Sequence, residues 1–154
     1  MGQSIETLRD GGKRFWSTWH KDFPELEEMK SRLYQVAINP EQLFLPDSNR
    51  KTLKEQEQMV KKFSRSLEVD GVEAIVGEIP DYAELAFSHF DATGGRLFGQ
   101  VYDYNYTKTV TSTGGSDVAH VGRFDADSGL AVFSWNRGEG RDDLFVAPLV
   151  VPKA

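Results

Sequence analysis

Before residue 92, apolar positions recur at helical spacing; after residue 95, they alternate. Ile5, Leu8, Phe15, Trp16 and Trp19 follow the first pattern, broken at Gly11-Gly12. Paired glycines end helices, so the spacing predicts short helices near 4–10 and 13–20. Asp22 and Glu25 stand in capping-box register, with Pro24 in the first turn. The helix they open carries Leu26, Met29, Leu33 and Val36 on one side. The proline-bearing stretch 39–49 is a connector. The strongest helical pattern follows, near 50–68, with an apolar stripe of Leu53, Val60, Phe63 and Leu67.

Val72 to Glu78 reads as a strand, and Pro80-Asp81 opens a further helix, with Asp81 and Glu84 in capping-box register. Tyr82, Leu85, Ala86 and His89 share one face of it. Strands are expected near 96–110, 117–125, 130–136 and 144–151, separated by Gly114-Gly115, a hairpin turn and the loop 136–143. Neighbouring strands joined by short loops form antiparallel meanders.

The expected fold class is therefore α+β. N-terminal helices, one strand and a further helix precede a C-terminal four-stranded antiparallel meander, curved into a cone-like sheet around the helices. This element order is similar to the cone-shaped α+β fold of nuclear-transport-factor-2-like proteins, a likeness of order with no motif behind it. An irregular α+β sandwich satisfies the same order. With 154 residues, the chain is read as a single domain, helical over about 1–92 and sheet over about 95–151. Chains of this size bury roughly 68–70% of their unfolded surface.

Composition narrows the chemistry. Without cysteine, disulfides and thiolate metal sites are excluded. The first residues lack the apolar core of a signal peptide, and no apolar run reaches the roughly 18 residues of a membrane span. A cytoplasmic protein without membrane association is the expectation. Net charge is −6, and the excess lies in one half: residues 1–70 hold 12 basic and 12 acidic side chains, residues 71–154 hold 6 and 12. An acidic half repels nucleic-acid phosphates and attracts cationic partners. On the helix near 50–68, Arg50, Lys51, Lys54, Lys61, Lys62 and Arg65 outnumber Glu55 and Glu57, the composition of a solvated face.

Two stretches resemble each other: "FDATGG" from Phe90 and "FDADSG" from Phe124. Calcium loops need more carboxylates and a closing Glu. Asp with a following Gly instead makes a turn, so both are read as turns, one of them a hairpin.

The candidate chemistry is sparse. His20 follows Trp19 near an expected helix end and is read as structural. His89 lies on an apolar helix face, and His120 alternates with Val118, Gly122 and Phe124. If helix and sheet pack together, the two imidazoles meet in one pocket, with Asp91 or Tyr102 beside them, suited to acid-base work on a small molecule. No cofactor, zinc, phosphate-loop or serine-elbow motif is present, so no cofactor or metal is expected, and a non-catalytic role ranks above an enzymatic one. "VYDYNYTKTV" puts Tyr102, Tyr104, Tyr106, Lys108 and Val110 on one strand face and Val101, Asp103, Asn105, Thr107 and Thr109 on the other. Tyrosines anchor interfaces, and Asp117, Asp125, Asp127, Glu139, Asp142 and Asp143 fall in or near turns of the same half.

The leading expectation is a small acidic binding protein (inhibitor, immunity or accessory factor) acting on a protein partner with a basic surface through Tyr102, Tyr104, Tyr106, Asp142 and Asp143. A pocket protein using His89, His120 and Asp91 is the alternative, and an assembly component such as a virion protein a third.

Overall fold

The computed structural model describes residues 2–32, 35–100 and 102–153. Leu33 and Val101, placed above on a helix and a strand, lie outside the described residues. The chain is a mixed α+β structure, with helices α1 (Ile5–Asp10), α2 (Pro24–Glu28), α3 (Leu53–Ser66) and α4 (Ile79–Thr93). The strands are β1 (Val72–Ile75), β2 (Gly99–Gln100), β3 (Asp103–Tyr104), β4 (Tyr106–Gly114), β5 (Asp117–Asp125), β6 (Gly129–Asn136), β7 (Leu144–Phe145) and β8 (Leu149–Pro152).

The main sheet has the order β6-β5-β4-β7. The β4-β5-β6 part is the expected antiparallel meander. The last strand departs from it. The segment 144–151 divides at Val146 to Pro148: β7 lies parallel to β4, and β8 leaves to pair antiparallel with β1. The four-stranded sheet is therefore mixed, with β1-β8 and β2-β3 as separate two-stranded ribbons, which also separates the fold from an all-antiparallel cone. Bulges in β4 and β5 bend and twist the strands that carry them.

α4 packs on one face of the main sheet. Its Tyr82, Ala83, Ala86 and Phe87 share a core with Ala119, Val121 and Phe124 of β5 and Leu130 and Val132 of β6. Asp81 is not the residue before this helix: the helix starts earlier, Glu78 is its N-cap, and the Glu78 amide donates to Asp81 Oδ2 at 2.8 Å. Tyr82 ties helix to strands, its hydroxyl donating to the Ala147 carbonyl at 2.7 Å and accepting from the Gly77 amide at 3.1 Å. α3 forms a second, smaller core through Val60, Ala74 and Val146, with Phe63 and Leu67 against it. Its Thr52–Glu55 capping box is complete, and the helix falls within the 50–68 expected from its apolar stripe.

The N-terminal region is less helical than its periodicity predicts. Residues 13–20 do not form a helix, and a single 3-10 turn spans Trp19–Asp22. α2 is capped by Phe23 with no side-chain bond and ends at Glu28, so the Asp22–Glu25 box is not used. The segment 14–17 instead runs along the open edge of β6. Leu130 N–H donates to the Arg14 carbonyl at 3.0 Å and Trp16 N–H to the Leu130 carbonyl at 2.8 Å. The Val132 amide donates to Ser17 Oγ at 2.9 Å, and Trp19 Nε1 to the Val132 carbonyl at 2.7 Å. Unpaired strand edges recruit further strands, and here the chain covers its own edge. Gly129 permits the approach: it sits at φ 93°, and a Cβ there would lie 2.1 Å from the Arg14 carbonyl oxygen.

Candidate functional site

Alternation along β6 sends Leu130 and Val132 into the α4 core and Ala131, Phe133 and Trp135 to the opposite face. The same alternation on β5 puts Ala119 and Val121 inside and His120 outside. Register then assembles the outer face. Lys108, His120 and Phe133 form one cross-strand row, and Leu144, Tyr106, Gly122 and Ala131 the next.

This outer face is an aromatic surface clasped by two arginines. Tyr106 meets His120 edge-on at 4.8 Å between centroids, Tyr104 at 5.6 Å and Phe133 at 6.1 Å. Trp16, delivered by the edge-covering segment, meets Phe133 at 5.1 Å. The Arg123 guanidinium lies 4.9 Å from the Tyr104 ring centre and 5.6 Å from that of Trp16. The Arg141 guanidinium lies 4.9 Å from Trp135 and 5.6 Å from Tyr106. Each arginine is oriented by a nearby carboxylate, Arg123 by Asp125 at 2.9 Å and Arg141 by both oxygens of Asp143 at 2.9 and 3.1 Å. Trp16 is exposed, and Tyr104, Phe133, Trp135 and both arginines are half-buried.

Beneath this surface the face carries buried polar side chains. His120 is buried, and neither ring nitrogen has a hydrogen-bond partner; the buried indole nitrogen of Trp135 also lacks one. Burial, aided by the nearby Arg141 cation, lowers the His120 pKa to about 3. Lys108 is fully buried, its ammonium donating to the Lys51 carbonyl at 2.9 Å and the Glu139 carbonyl at 2.7 Å. Desolvation lowers its pKa to about 8. Burial raises the Tyr106 phenol to about 12. Lys108 thus straps the loops around residues 51 and 139 to the sheet.

The structure redistributes the residues singled out from the sequence. His89 and His120 do not share a pocket. α4 lies on the inner face of the sheet and His120 points from the outer face, so the sheet separates them. Asp91 does not orient His89; it pairs with Lys13. The tyrosine row is broken. Tyr102 stands alone at the β2–β3 tip, 98% exposed at φ 76°, a left-handed conformation that is strained for an aromatic residue. Tyr106 is buried at 4% exposure and cannot be a surface anchor, so Tyr104 is the tyrosine that joins the aromatic surface. Asp142 is exposed and paired with Arg50, and Asp143 serves Arg141. The "FDATGG" stretch, expected as a turn, is instead the last turn of α4, with Gly94 as a left-handed cap at φ 76°, and "FDADSG" is the β5–β6 hairpin turn as expected.

Sequence reading missed Trp16, Arg123, Phe133, Trp135 and Arg141. Phe133 and Trp135 alternate on β6 and were visible in principle. The helical spacing of Trp16 hides its place beside a strand. Among the described residues, no group of His, Asp and Glu is arranged to hold a metal ion, and no helix is long and apolar enough to cross a membrane. No protein-family model, curated protein or solved structure matches the chain.

Proposed function

We propose that this is a small non-catalytic binding protein, an inhibitor, immunity or accessory factor, that engages a protein partner through the outer face of its main sheet. The observation that supports the reading is the Trp16–Phe133–Tyr104–Trp135 surface with Arg123 and Arg141 stacked on it. Trp, Tyr and Arg are the residues that dominate binding energy at protein interfaces, Trp and Tyr because they combine large contact area with few rotors and a polar end. Here Trp16, Phe133 and Tyr104 are held by edge-on ring packing, Trp135 lies against Arg141, and the arginines are held by Asp125 and Asp143. Preorganised side chains lose little entropy on binding. Tyr102, strained and exposed at a neighbouring hairpin tip, adds an outlying contact.

Charge favours a partner with a basic surface. The chain carries −6, and Asp103 of β3, Asp127 and Asp142 in turns and Glu139 in a loop are exposed. Carboxylates at a rim steer encounter more than they hold the complex. The test is affinity capture from the native host with the wild-type chain, a Trp16→Ala/Tyr104→Ala double variant and a Lys61→Ala control on α3. Each is checked for folding by circular dichroism. A protein retained by wild type and control but released by the double variant supports the reading. A partner held equally by all three places the interface elsewhere, and a large self-assembly in light scattering replaces the reading with an assembly role.

A further inference from the structure

The ribbon of β1 and β8 leaves one of its edges unfinished. Val150 exchanges both of its backbone hydrogen bonds with Ala37, at 2.8 and 3.1 Å. Its partner in the ribbon, Ala74, therefore turns its own N–H and C=O away from β8. The Ala74 N–H donates to Ser64 Oγ of α3 at 2.9 Å. Val76, two residues on, faces the same way by alternation. It is half-buried, and among the described residues neither its N–H nor its C=O has a hydrogen-bond partner. Its neighbour Gly77 is fully used: the amide donates to the Tyr82 hydroxyl and the carbonyl accepts from the Val110 amide, each at 3.1 Å. Backbone groups away from water are rarely left without a partner, and an open strand edge is a template for another strand.

This edge lies in a groove of about 420 Å³ between α3 and β1, within the roughly 300–1,000 Å³ of ligand sites. Val60, Ile75, Val76 and Val110 give the groove an apolar lining. Its charges are unevenly placed. Glu57 stands one turn before Lys61 on α3 and offsets it. Arg65 lies a further turn along, and Lys153 sits where β1 begins, its amide donating to the Gly71 carbonyl at 2.9 Å. Ala74 packs with Val60 of α3, so Glu73, which alternates with it, points from the other face of the ribbon. Among the described residues none of these charged side chains is in an ion pair. Arg65 and Lys153 are thus two exposed cations without a carboxylate of their own.

We propose that this groove is a second docking site, which takes an extended acidic segment of a partner protein as an added strand beside β1. The Val76 N–H donates to a carbonyl of the added strand, and the Ala74 and Val76 carbonyls accept its amides. An apolar side chain of the segment rests on Val60 and Val110, and a neighbouring carboxylate reaches Arg65 and Lys153. In strand addition of this kind the main-chain bonds give affinity and the side-chain contacts give specificity. The site shares no residue with the aromatic face and selects the opposite charge. It goes beyond the reading of that face and does not rest on it.

The test selects random peptides displayed on phage against the wild-type chain, with counter-selection on the Arg65→Glu/Lys153→Glu double variant. Both positions are exposed, and circular dichroism checks that the variant is folded. The expected survivors carry Asp or Glu close to an apolar residue. The best of them, made synthetically, is titrated into the isotope-labelled full chain and followed by NMR. The amides of residues 72–77 should shift, and that of Val76 should gain protection from hydrogen exchange. The double variant should bind at least about tenfold more weakly, the scale of turning two exposed attractions into repulsions. Lys62→Glu, exposed on α3 outside the groove, should bind as wild type does. N-methylation of alternate peptide residues should abolish binding in one register and spare it in the other, which side-chain contact alone would not do. Failure to recover acidic peptides overturns the proposal, as do shifts that map to the aromatic face or equal binding by the double variant. So does a chain that is dimeric in light scattering with the Val76 amide already protected, because a second copy then fills the groove.

Discussion

His120→Leu should make the protein more stable, and most of all in acid. The imidazole is buried with both nitrogens unpartnered, and a buried polar group without a hydrogen bond costs about 1–3 kcal/mol. Leucine is of similar volume and carries no polar atom to strand. At neutral pH the gain should be about 1 kcal/mol, or roughly 3 °C in Tm for a chain of this length. The acid contribution is larger. The folded imidazole, with its pKa lowered by burial to about 3, refuses a proton that the unfolded chain takes up near pH 6.5. Between those values the unfolded state binds more protons, so stability falls as pH falls. At pH 4 that loss is about 3 kcal/mol from this one group, and His120→Leu escapes it. The assay is urea unfolding of both proteins at pH 7 and pH 4. Carboxylates held low by their partners, such as Glu27, contribute equally to both, so only the difference matters. Parallel loss of stability in the two proteins would refute the assignment of a neutral, unpartnered His120.

Further expectations follow from other contacts. Lys108, lowered to about 8 by desolvation, binds fewer protons folded than unfolded above that pH, so stability should rise by about 2 kcal/mol from pH 8 to 9.5; Lys108→Met should abolish the rise in urea titrations. Tyr82→Phe strands the Gly77 amide and the Ala147 carbonyl, which should cost about 2 kcal/mol in chemical denaturation. Gly129→Ala collides with the Arg14 carbonyl and should detach the segment 14–17, seen as faster hydrogen exchange at Trp16 and Val132. Thr52→Ala removes the α3 capping box and should cost about 1 kcal/mol. If Tyr104 is an interface anchor, Tyr104→Ala should weaken partner binding by about 2 kcal/mol, mainly through faster dissociation.

What could be read from the sequence were the elements specified by their own residues. α3 carries its stripe and its capping box within one segment, and the β4-β5-β6 strands alternate and meet through short turns. What could not be read depends on partners far along the chain. Phe15, Trp16 and Trp19 have helical spacing, yet the hydrogen bonds offered by the β6 edge outweigh a local preference weakened by Gly11-Gly12. The stretch from Leu144 to Val151 is apolar throughout, and only its two different partners, β4 and β1, break it into two strands at Pro148. The aromatic face needed the register of β4, β5 and β6 before Trp135, Tyr106 and Arg141 could be seen as neighbours. The buried hydrogen-bonded chain Ser17–His20–Glu27–Arg9 has no sequence signal, because its members lie on the edge segment, the 3-10 turn, α2 and α1.

The pairing of β1 with β8 has a consequence for how the protein is made. During synthesis β1 leaves the ribosome long before its partner exists, and the apolar side of α3 must wait with it. Sheltering that surface falls to whatever the nascent chain meets first. The meander of β4, β5 and β6 closes through short hairpins and can assemble as soon as it emerges, offering α4 a face to settle on. The two-stranded ribbon is then the last seam to close, and variants that loosen β8 should raise the demand on chaperones more than they lower the stability of the finished fold.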